Sequence, residues 1–328
     1  MSVMHAAVER RFDPVLDRMR WAVGEGYAVW FVVLGLAVYA TLNSDGFLTS
    51  KNIENYLGQV PVLVIASIGM LIAVLAGGID LSVGAVAKLS AVLISGIADG
   101  DFGKFVVAVS LAYLIGVTVG AVNALIIVRF RIEPFIVTLG MFSILEGLVL
   151  AYTVRGRGSV PASVVTWAYE AVGPFPYVFL VTLGIVVLTT LWIRNARFAL
   201  RLIAFGGDRE VTRRAGISST PIVFASMISC SMFAVTAGLA LVIRAGVGAP
   251  TTGDGLELAA ITAIVVGGAS LAGGRGRVLG AVGGAVLLTL VDNSLNMMRV
   301  SQYNQGLVRG AVIVLAVALF TTRRERAA

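Results

Sequence analysis

The sequence predicts an all-α fold, a polytopic membrane bundle of about ten transmembrane helices with an internal repeat and short or broken helices. Three observations support this prediction. Hydrophobic residues make up 58% of the chain and charged residues only 13%, against roughly 25% charged in soluble domains. Apolar runs recur along the whole sequence. The basic residues gather at the ends of these runs and do not interleave with aromatic residues on one face, which argues against a nucleic-acid-binding protein.

The apolar runs and their connections define the predicted domains. The first run ends without a small-residue cleavage site, so we interpret it as an uncleaved span. We predict a cytoplasmic N-terminal tail over 1–26, a transmembrane domain over 27–322 with a cytoplasmic loop at 194–220, and a cytoplasmic C-terminal tail over 323–328. The ten runs are 27–42, 58–77, 81–98, 105–128, 134–152, 175–193, 221–243, 256–270, 278–292 and 306–320.

The distribution of basic residues predicts the orientation. If the N-terminus is cytoplasmic, most of the basic residues in the connections fall on the inside, with the largest group between 194 and 214. The outside connections contain only Lys51, Lys104, Arg155, Arg157, Arg244 and Arg299. This bias predicts that both termini lie in the cytoplasm.

Two of the predicted runs are short. The runs 256–270 and 278–292 contain about 15 residues, fewer than the roughly 17 to 25 that a span requires. They adjoin an internal echo, because Gly77-Gly78-Ile79-Asp80-Leu81 resembles Gly267-Gly268-Ala269-Ser270-Leu271. Interrupted helices in corresponding positions predict a translocation site near the membrane midplane, with chance glycine matches as the alternative.

Asp80 is the ionisable residue of most interest, since a carboxylate in a membrane segment is costly and usually functional. Its echo is Ser270, and Asp and Ser are both good helix N-caps. We therefore predict that Asp80 caps a helix beginning at Leu81 and that Ser270 caps its counterpart. Lys88 is too far along the helix to pair with Asp80 unless the segment bends, and a partner on another helix is the alternative.

Other polar residues fall within the apolar runs. We expect Glu146 and Asp292 to pair with groups on neighbouring helices, although hydrogen bonding to a polar solute is an alternative. Asn123 is expected to bond between helices. An ion-coupled secondary transporter would use Asp80, Glu146 and Asp292 as its ion site, and remains an alternative function.

A short charged helix is predicted in the loop 194–220. Asp208 is its N-cap, Glu210 lies in its first turn, Arg213 and Arg214 lie in its last turn, and Gly216 takes the left-handed closing position. From Arg209 to Ala215 it forms two turns, about 10 Å, which is marginal in water without a surface to pack on. Val211 and Ala215, four residues apart, provide a small apolar stripe for such a surface. A solvated linker is the alternative.

Enzymatic chemistry is not supported by the sequence. The only histidine is His5, in the N-terminal tail, so Ser270 lacks a general base, and no zinc-ligand cluster is present. The only Gly-Lys pair, Gly103-Lys104, is followed by Phe105 and does not form a phosphate-binding loop. We therefore expect no metal and no cofactor to be bound by this chain. If ATP drives it, ATP and Mg²⁺ bind to a separate ATPase.

Four stretches together resemble the permease subunits of ATP-binding-cassette importers of the ribose/monosaccharide class. They are Gly77 to Gly84, Glu133 to Gly140, Gly206 to Ile217, and Gly267 to Gly276. The chain departs from the family where Asp208 replaces a usual Asn and where Ala259 replaces a common acidic residue.

The resemblance implies a permease of the bacterial inner membrane that forms the translocation path for a sugar or related small polar solute. It also implies a periplasmic solute-binding protein, an ATPase subunit, and a second permease copy or paralogue as partners. The residues that it assigns to ATPase coupling are Gly206, Gly207, Asp208, Arg209, Glu210, Val211, Arg213, Arg214 and Gly216. The translocation and broken-helix candidates are Gly77, Gly78, Asp80, Ser82, Gly267, Gly268 and Ser270.

Overall fold

A computed structural model describes residues 28–44 and 46–300, together with positions 307 and 310. Both predicted tails and the predicted run at 306–320 lie outside the continuously described residues. In chain order the elements are α1 (Ala28–Asn43), α2 (Ser50–Leu75), α3 (Ser82–Ala98), α4 (Phe102–Phe130), α5 (Pro134–Tyr152), α6 (Ala162–Tyr169), β1 (Ala171–Val172), β2 (Phe175–Pro176), α7 (Tyr177–Asn195), α8 (Arg197–Gly207), α9 (Arg209–Arg214), α10 (Ser219–Ala245), α11 (Leu256–Val266) and α12 (Val278–Met297).

The protein is an all-α membrane bundle, as the composition predicts. Within 28–300, six helices are long and apolar enough to cross a membrane, namely α2, α4, α5, α7, α10 and α12. The apolar helices α1, α3 and α11 are shorter. The structure thus confirms the class, whereas the predicted number of about ten spans is not established.

The prediction of two short runs is half right. Helix α11 has only 11 residues. Helix α12 has 20 residues, because it continues past the apolar run through Asn293 to Met297, so the prediction that 278–292 is too short to span is wrong. The side-chain Nδ2 of Asn293 donates to Asn52 Oδ1 of α2 at 3.0 Å, and this bond allows a polar residue to lie inside the bundle.

Helix α2 lies at the centre of the bundle. Its most apolar window is 89% buried, against 17% in α7, whose surface is therefore largely exposed in the single chain. Helix α10 packs against α2, α3 and α4, while α12 packs against α1, α2 and α11. Cys230 of α10 is a free thiol in this core.

Helix α8 was not predicted. It carries charged residues, so it did not register as an apolar run, but its buried residues Ala199, Leu202, Phe205 and Gly206 form one face of an amphipathic helix. This face packs against α2 and α10. The predicted cytoplasmic loop therefore contains two consecutive helices, α8 and α9. Helix α8 packs against the bundle.

Candidate functional site

Glycines from three segments that are far apart in sequence meet at the end of α2. Gly77 has a φ of +75°, and a Cβ at this position would lie 3.4 Å from Gly206 Cα. The loop between α11 and α12 reaches the same point, where the Gly274 amide donates to the Leu75 carbonyl at 3.2 Å. We call this contact of Gly77, Gly206, Gly273 and Gly274 the glycine junction. It brings together three of the stretches that carried the sequence resemblance.

Gly206 is the central residue of the glycine junction. A Cβ at this position would overlap the Leu75 carbonyl oxygen and would lie 2.9 Å from the amides of Gly77 and Gly274. All three neighbours are backbone atoms, which cannot rotate away. The next residue, Gly207, has open space at its Cβ position. Close backbone approach therefore requires glycine at 206 and not at 207.

Arg209 ties α9 to the same point. Its Nη2 donates to the Gly77 carbonyl at 3.0 Å, and its guanidinium lies 5.4 Å from the centroid of the Phe205 ring. The start of α9 is therefore bonded directly to the chain segment between α2 and α3. Sequence reasoning assigned Arg209 to coupling without identifying this partner.

The two echoed segments share one helix-ending geometry. The Gly78 amide donates to the Ala73 carbonyl at 3.0 Å, and the Ala269 amide donates to the Ile264 carbonyl at 2.8 Å. The residue before each of them, Gly77 or Gly268, has a positive φ, as in a Schellman motif. Gly77 thus corresponds to Gly268, so the structural repeat is shifted by one residue from the sequence echo.

The predicted role of Ser270 as a helix cap is wrong. No helix begins after Ser270, and the next one, α12, begins at Val278. Instead the chain turns back, with the Ser270 amide donating to the Arg275 carbonyl at 2.9 Å. Gly273 and Gly274 have φ values of +95° and +68°, which place them in the glycine junction and prevent a helix from starting there.

Asp80 lies before a helix, as predicted, but α3 begins at Ser82 and not at Leu81. Its Oδ1 accepts a hydrogen bond from the Ser82 amide at 2.9 Å and another from the Ser82 hydroxyl. The Leu81 amide donates to Thr138 Oγ1 of α5 at 3.1 Å, and that hydroxyl contacts the Ile79 carbonyl. Two of the free amides at the start of α3 are therefore satisfied, one by Asp80 and one by a threonine that the sequence analysis did not single out.

Helix α9 has the predicted local structure. Asp208 Oδ1 accepts from the amides of Glu210 and Val211, both at 2.9 Å, and Gly216 closes the helix with a φ of +75°. Hydrogen bonds from Arg213 and Arg214 hold the pKa of Glu210 below its ordinary value. Val211 is 63% exposed, so its apolar side chain is not covered by other residues of the single chain.

A cavity of about 600 Å³ separates α9 from the end of α4 and the start of α5. Residues of α9, of the α2–α3 connection and of α5 line the same space, among them Gly78, Pro134, Arg209, Glu210 and Arg213. Of the predicted candidates, Gly77, Gly78 and the α8–α9 residues thus lie together. Gly267 does not join them, because its Cβ position faces the Gly280 carbonyl of α12.

Lys88 forms a second centre, which the sequence did not identify. Its Nζ pairs with Glu146 of α5 at 2.7 Å and with Asp254 of the α10–α11 connection. Glu257, in the first turn of α11, faces Gly84 of α3 so closely that a Cβ there would overlap its carboxylate. We call Lys88, Glu146, Asp254 and Glu257 the Lys88 cluster. The prediction that Glu146 pairs with a group on a neighbouring helix is confirmed, and the alternative left open for Lys88, a partner on another helix, is the one found.

Asn123 also bonds between helices, as predicted, since its Nδ2 donates to the Ser82 hydroxyl of α3 at 3.2 Å. Within the described part of the chain, no group of three or more histidine, cysteine, aspartate or glutamate residues is arranged to hold a metal ion. Asp80 and Glu146, two of the three carboxylates that an ion site would use, bond to different partners, Ser82 and Lys88.

Comparison with known proteins gives consistent matches. The family described as "Branched-chain amino acid transport system / permease component" matches residues 52–317. The chain is 35% identical to the ribose import permease protein of Escherichia coli (strain K12), over 90% of this chain and 93% of that one. It is 34% identical to the ribose import permease protein of Bacillus subtilis (strain 168), over 87% and 89% of the two chains.

A third relative is the D-allose transport system permease protein of Escherichia coli (strain K12), which is 31% identical over 89% of this chain and 90% of that one. No solved structure matches the chain. These comparisons give no support to the ion-coupled alternative.

Proposed function

Because the chain belongs to the family of transport-system permease components, and is a sugar permease subunit within it, we propose that it carries a monosaccharide-like solute using energy received through α9. It is a multi-pass protein of the inner membrane and a transport component. On this proposal the chain hydrolyses no ATP, and ATP with Mg²⁺ binds to the ATPase subunit of the importer.

The observation that carries the proposal is the glycine junction. An ATPase that moves α9 would also move α8, because only Asp208 separates the two helices. Movement of α8 would in turn displace the end of α2 and the α11–α12 loop, because Gly206 has no free space towards Leu75 and Gly274. The hydrogen bond from Arg209 to the Gly77 carbonyl adds a direct connection from α9 to the segment before α3. A solvated linker would need neither contact. The rigid attachment of α9 to two helix connections therefore supports a role in transmitting movement.

The remaining partners follow from the family. Two relatives are described as a ribose import permease protein and a D-allose transport system permease protein. We therefore propose a small polyhydroxy solute for this chain. We further propose delivery by a periplasmic binding protein, pairing with a second permease copy or paralogue, and cytoplasmic termini. The basic connections 131–133, 194–218 and 267–277 adjoin one end of the bundle, which on this proposal faces the ATPase.

Val211→Asp tests the docking role of α9. The substitution would bury an unpaired carboxylate under the ATPase, which is strongly unfavourable, so we expect at least a tenfold weaker association, equivalent to about 1.4 kcal/mol. ATP-dependent uptake should be lost at normal membrane abundance, because Val211 is exposed in the permease itself. Association is measured by titrating purified permease with its ATPase, and uptake in proteoliposomes that contain the complete importer.

Val154→Asp is the matched control, because Val154 is also exposed but lies in the connection at the opposite end of α5 from Pro134. It should leave ATPase association unchanged. If Val211→Asp binds the ATPase with the affinity of the unmodified protein and imports at the same rate, α9 is only a linker and the proposal is wrong.

A further inference from the structure

The chain between α10 and α11 is not helical, and it packs beside α3 with Gly248 buried and Asp254 exposed. This segment comprises residues 246–255. It begins at Gly246, whose φ is +74°, and ends before Leu256, the first residue of α11. The Gly248 amide donates to Ser95 Oγ at 2.9 Å, and Asp254 pairs with Lys88. Ser95 and Lys88 are separated by about 10 Å along α3 at 1.5 Å per residue, so the segment runs beside roughly two turns of this helix.

Irregular backbone at membrane depth occurs only where it is buried in protein or lines a water-filled cavity. Lys88 and Glu146 both lie away from the ends of α3 and α5, which places the Lys88 cluster within the bundle. The Lys88 side chain is only 6% exposed, whereas those of Glu146 and Asp254 are 26% and 58% exposed. Ionisable side chains in membrane segments face the bundle interior or a water-filled cavity in almost all cases, which favours water over lipid on this open side.

The charges of the Lys88 cluster are not balanced. Lys88 is shared by Glu146 and Asp254, and Glu257 forms no ion pair with any described residue. Glu257 also belongs to the first turn of α11, an 11-residue helix that begins within the bundle. In many other transporters, discontinuous helices of this kind form part of the solute site near the membrane midplane. Gly84 provides the space in which the Glu257 carboxylate lies.

We propose that Glu257 and Asp254 contact the hydroxyl groups of the solute as it passes, with Lys88 as the positioning residue that holds Asp254 and Glu146. The inference rests on the proposed function, in which the solute is a polyhydroxy compound. An ionised carboxylate accepts up to four hydrogen bonds, and a sugar hydroxyl can donate one, so the unpaired carboxylate of Glu257 matches this class of solute. The site acts on selectivity during passage and is separate from ATPase docking at α9.

Glu257→Gln tests the proposal, because it keeps the size of the side chain and removes its charge. The complete importer, with its ATPase and binding protein, is assayed in proteoliposomes with labelled ribose, allose, galactose and fructose and with a deoxy analogue of each. A site that bonds to a hydroxyl discriminates strongly against an analogue that lacks it. We expect uptake at saturating solute to fall about tenfold, and the preference for one parent sugar over its deoxy analogue to shrink by a similar factor.

Solute-stimulated ATP hydrolysis and ATPase association should not change. A merely structural defect would reduce both of them together with uptake. Asp254→Asn provides a second variant that does not depend on the packing of Glu257, since Asp254 is largely exposed, and it should also reduce discrimination between parent and deoxy sugars. Glu170→Gln, at an exposed carboxylate after α6, is the matched control and should transport normally.

Unchanged uptake and unchanged discrimination in both variants would overturn the proposal, as would a loss of uptake that only follows a loss of membrane abundance. The unmodified importer separates this result from failure of the proposed function. If it imports none of the sugars, the assignment of a sugar as the solute is wrong and the proposal fails with it. If it imports a sugar that both variants handle normally, only the site is wrong.

Discussion

The glycine junction and the Lys88 cluster both join distant parts of the chain, but they do so with opposite means. At the glycine junction, backbone meets backbone, and Gly206 leaves no room for a single additional carbon atom. At the Lys88 cluster, long charged side chains meet, and Asp254 stays 58% exposed. A contact that must transmit movement benefits from close packing without flexible atoms, whereas a contact with a changing solute needs open polar groups. The difference supports assigning coupling to the first region and solute contact to the second.

Gly206→Ala should have the largest effect. The new Cβ would meet backbone atoms of Leu75, Gly77 and Gly274, none of which can move aside alone. We expect a loss of about 3 kcal/mol, at the upper end of the usual range for overpacking, and separation of α8 from the end of α2. Thermal unfolding of the purified permease measures the stability, and ATPase-driven uptake measures the coupling.

Gly207→Ala is the matched control, one residue further along α8. No atom lies within contact distance of its added Cβ, so it should be tolerated and keep transport. Equal stability of the two alanine variants would show that the glycine junction is not a close-packed contact. Normal uptake by a Gly206→Ala protein that has lost stability would separate the contact from coupling.

Lys88→Met should have the next largest effect. It removes the ammonium group from between Glu146 and Asp254 and leaves their carboxylates close together without a counter-charge. Breaking a fully buried pair costs 3–5 kcal/mol, and the partial exposure of both carboxylates reduces our expectation to about 2 kcal/mol. The measurement is again thermal unfolding, with Lys104→Met, at an exposed lysine in the first turn of α4, as the control. A loss no larger than that of the control would mean that the Lys88 cluster does not hold α3 and α5 together.

Asp80 should show the smallest effect and tests whether its charge matters. Asp80→Ala removes the acceptor for the Ser82 amide, so we expect a loss of about 0.5 to 2 kcal/mol. Asp80→Asn keeps an acceptor oxygen and should retain most of the stability and transport. Lost transport in Asp80→Asn at normal abundance would show that the carboxylate charge is required, and the capping interpretation would then be insufficient.

Helix α9 was predictable because its determinants are local. The N-cap Asp208, the Glu210 and arginine pairs and the closing Gly216 lie within one short stretch, and each acts on the backbone a few residues away. The two glycine stops after α2 and α11 were predictable for the same reason. The structure of the chain after each of these stops was not predictable. Asp80 is followed by a helix, while Ser270 is followed by a turn, because Gly273 and Gly274 pack against α8.

Contacts over long sequence separations could not be read from the pattern of residues. Lys88 lies 58 residues from Glu146 and 166 residues from Asp254, and nothing in the local sequence of α3 selects either partner. The length of α12 depends in the same way on Asn293, which is polar and ends the apolar run, yet bonds to Asn52 and remains helical.

The sequence by itself determined the membrane class of the fold, the positions of most helices, the caps of α9 and the resemblance to importer permeases. These features depend on hydrophobicity and on hydrogen bonds between residues that are close in the chain. Only the tertiary structure decided which glycines meet at the junction, which carboxylates surround Lys88 and where the repeat stops being symmetric. Such contacts depend on close approach of separate helices, and a glycine that packs against another backbone has the same local sequence signature as one that lies in open space, as Gly206 and Gly207 do.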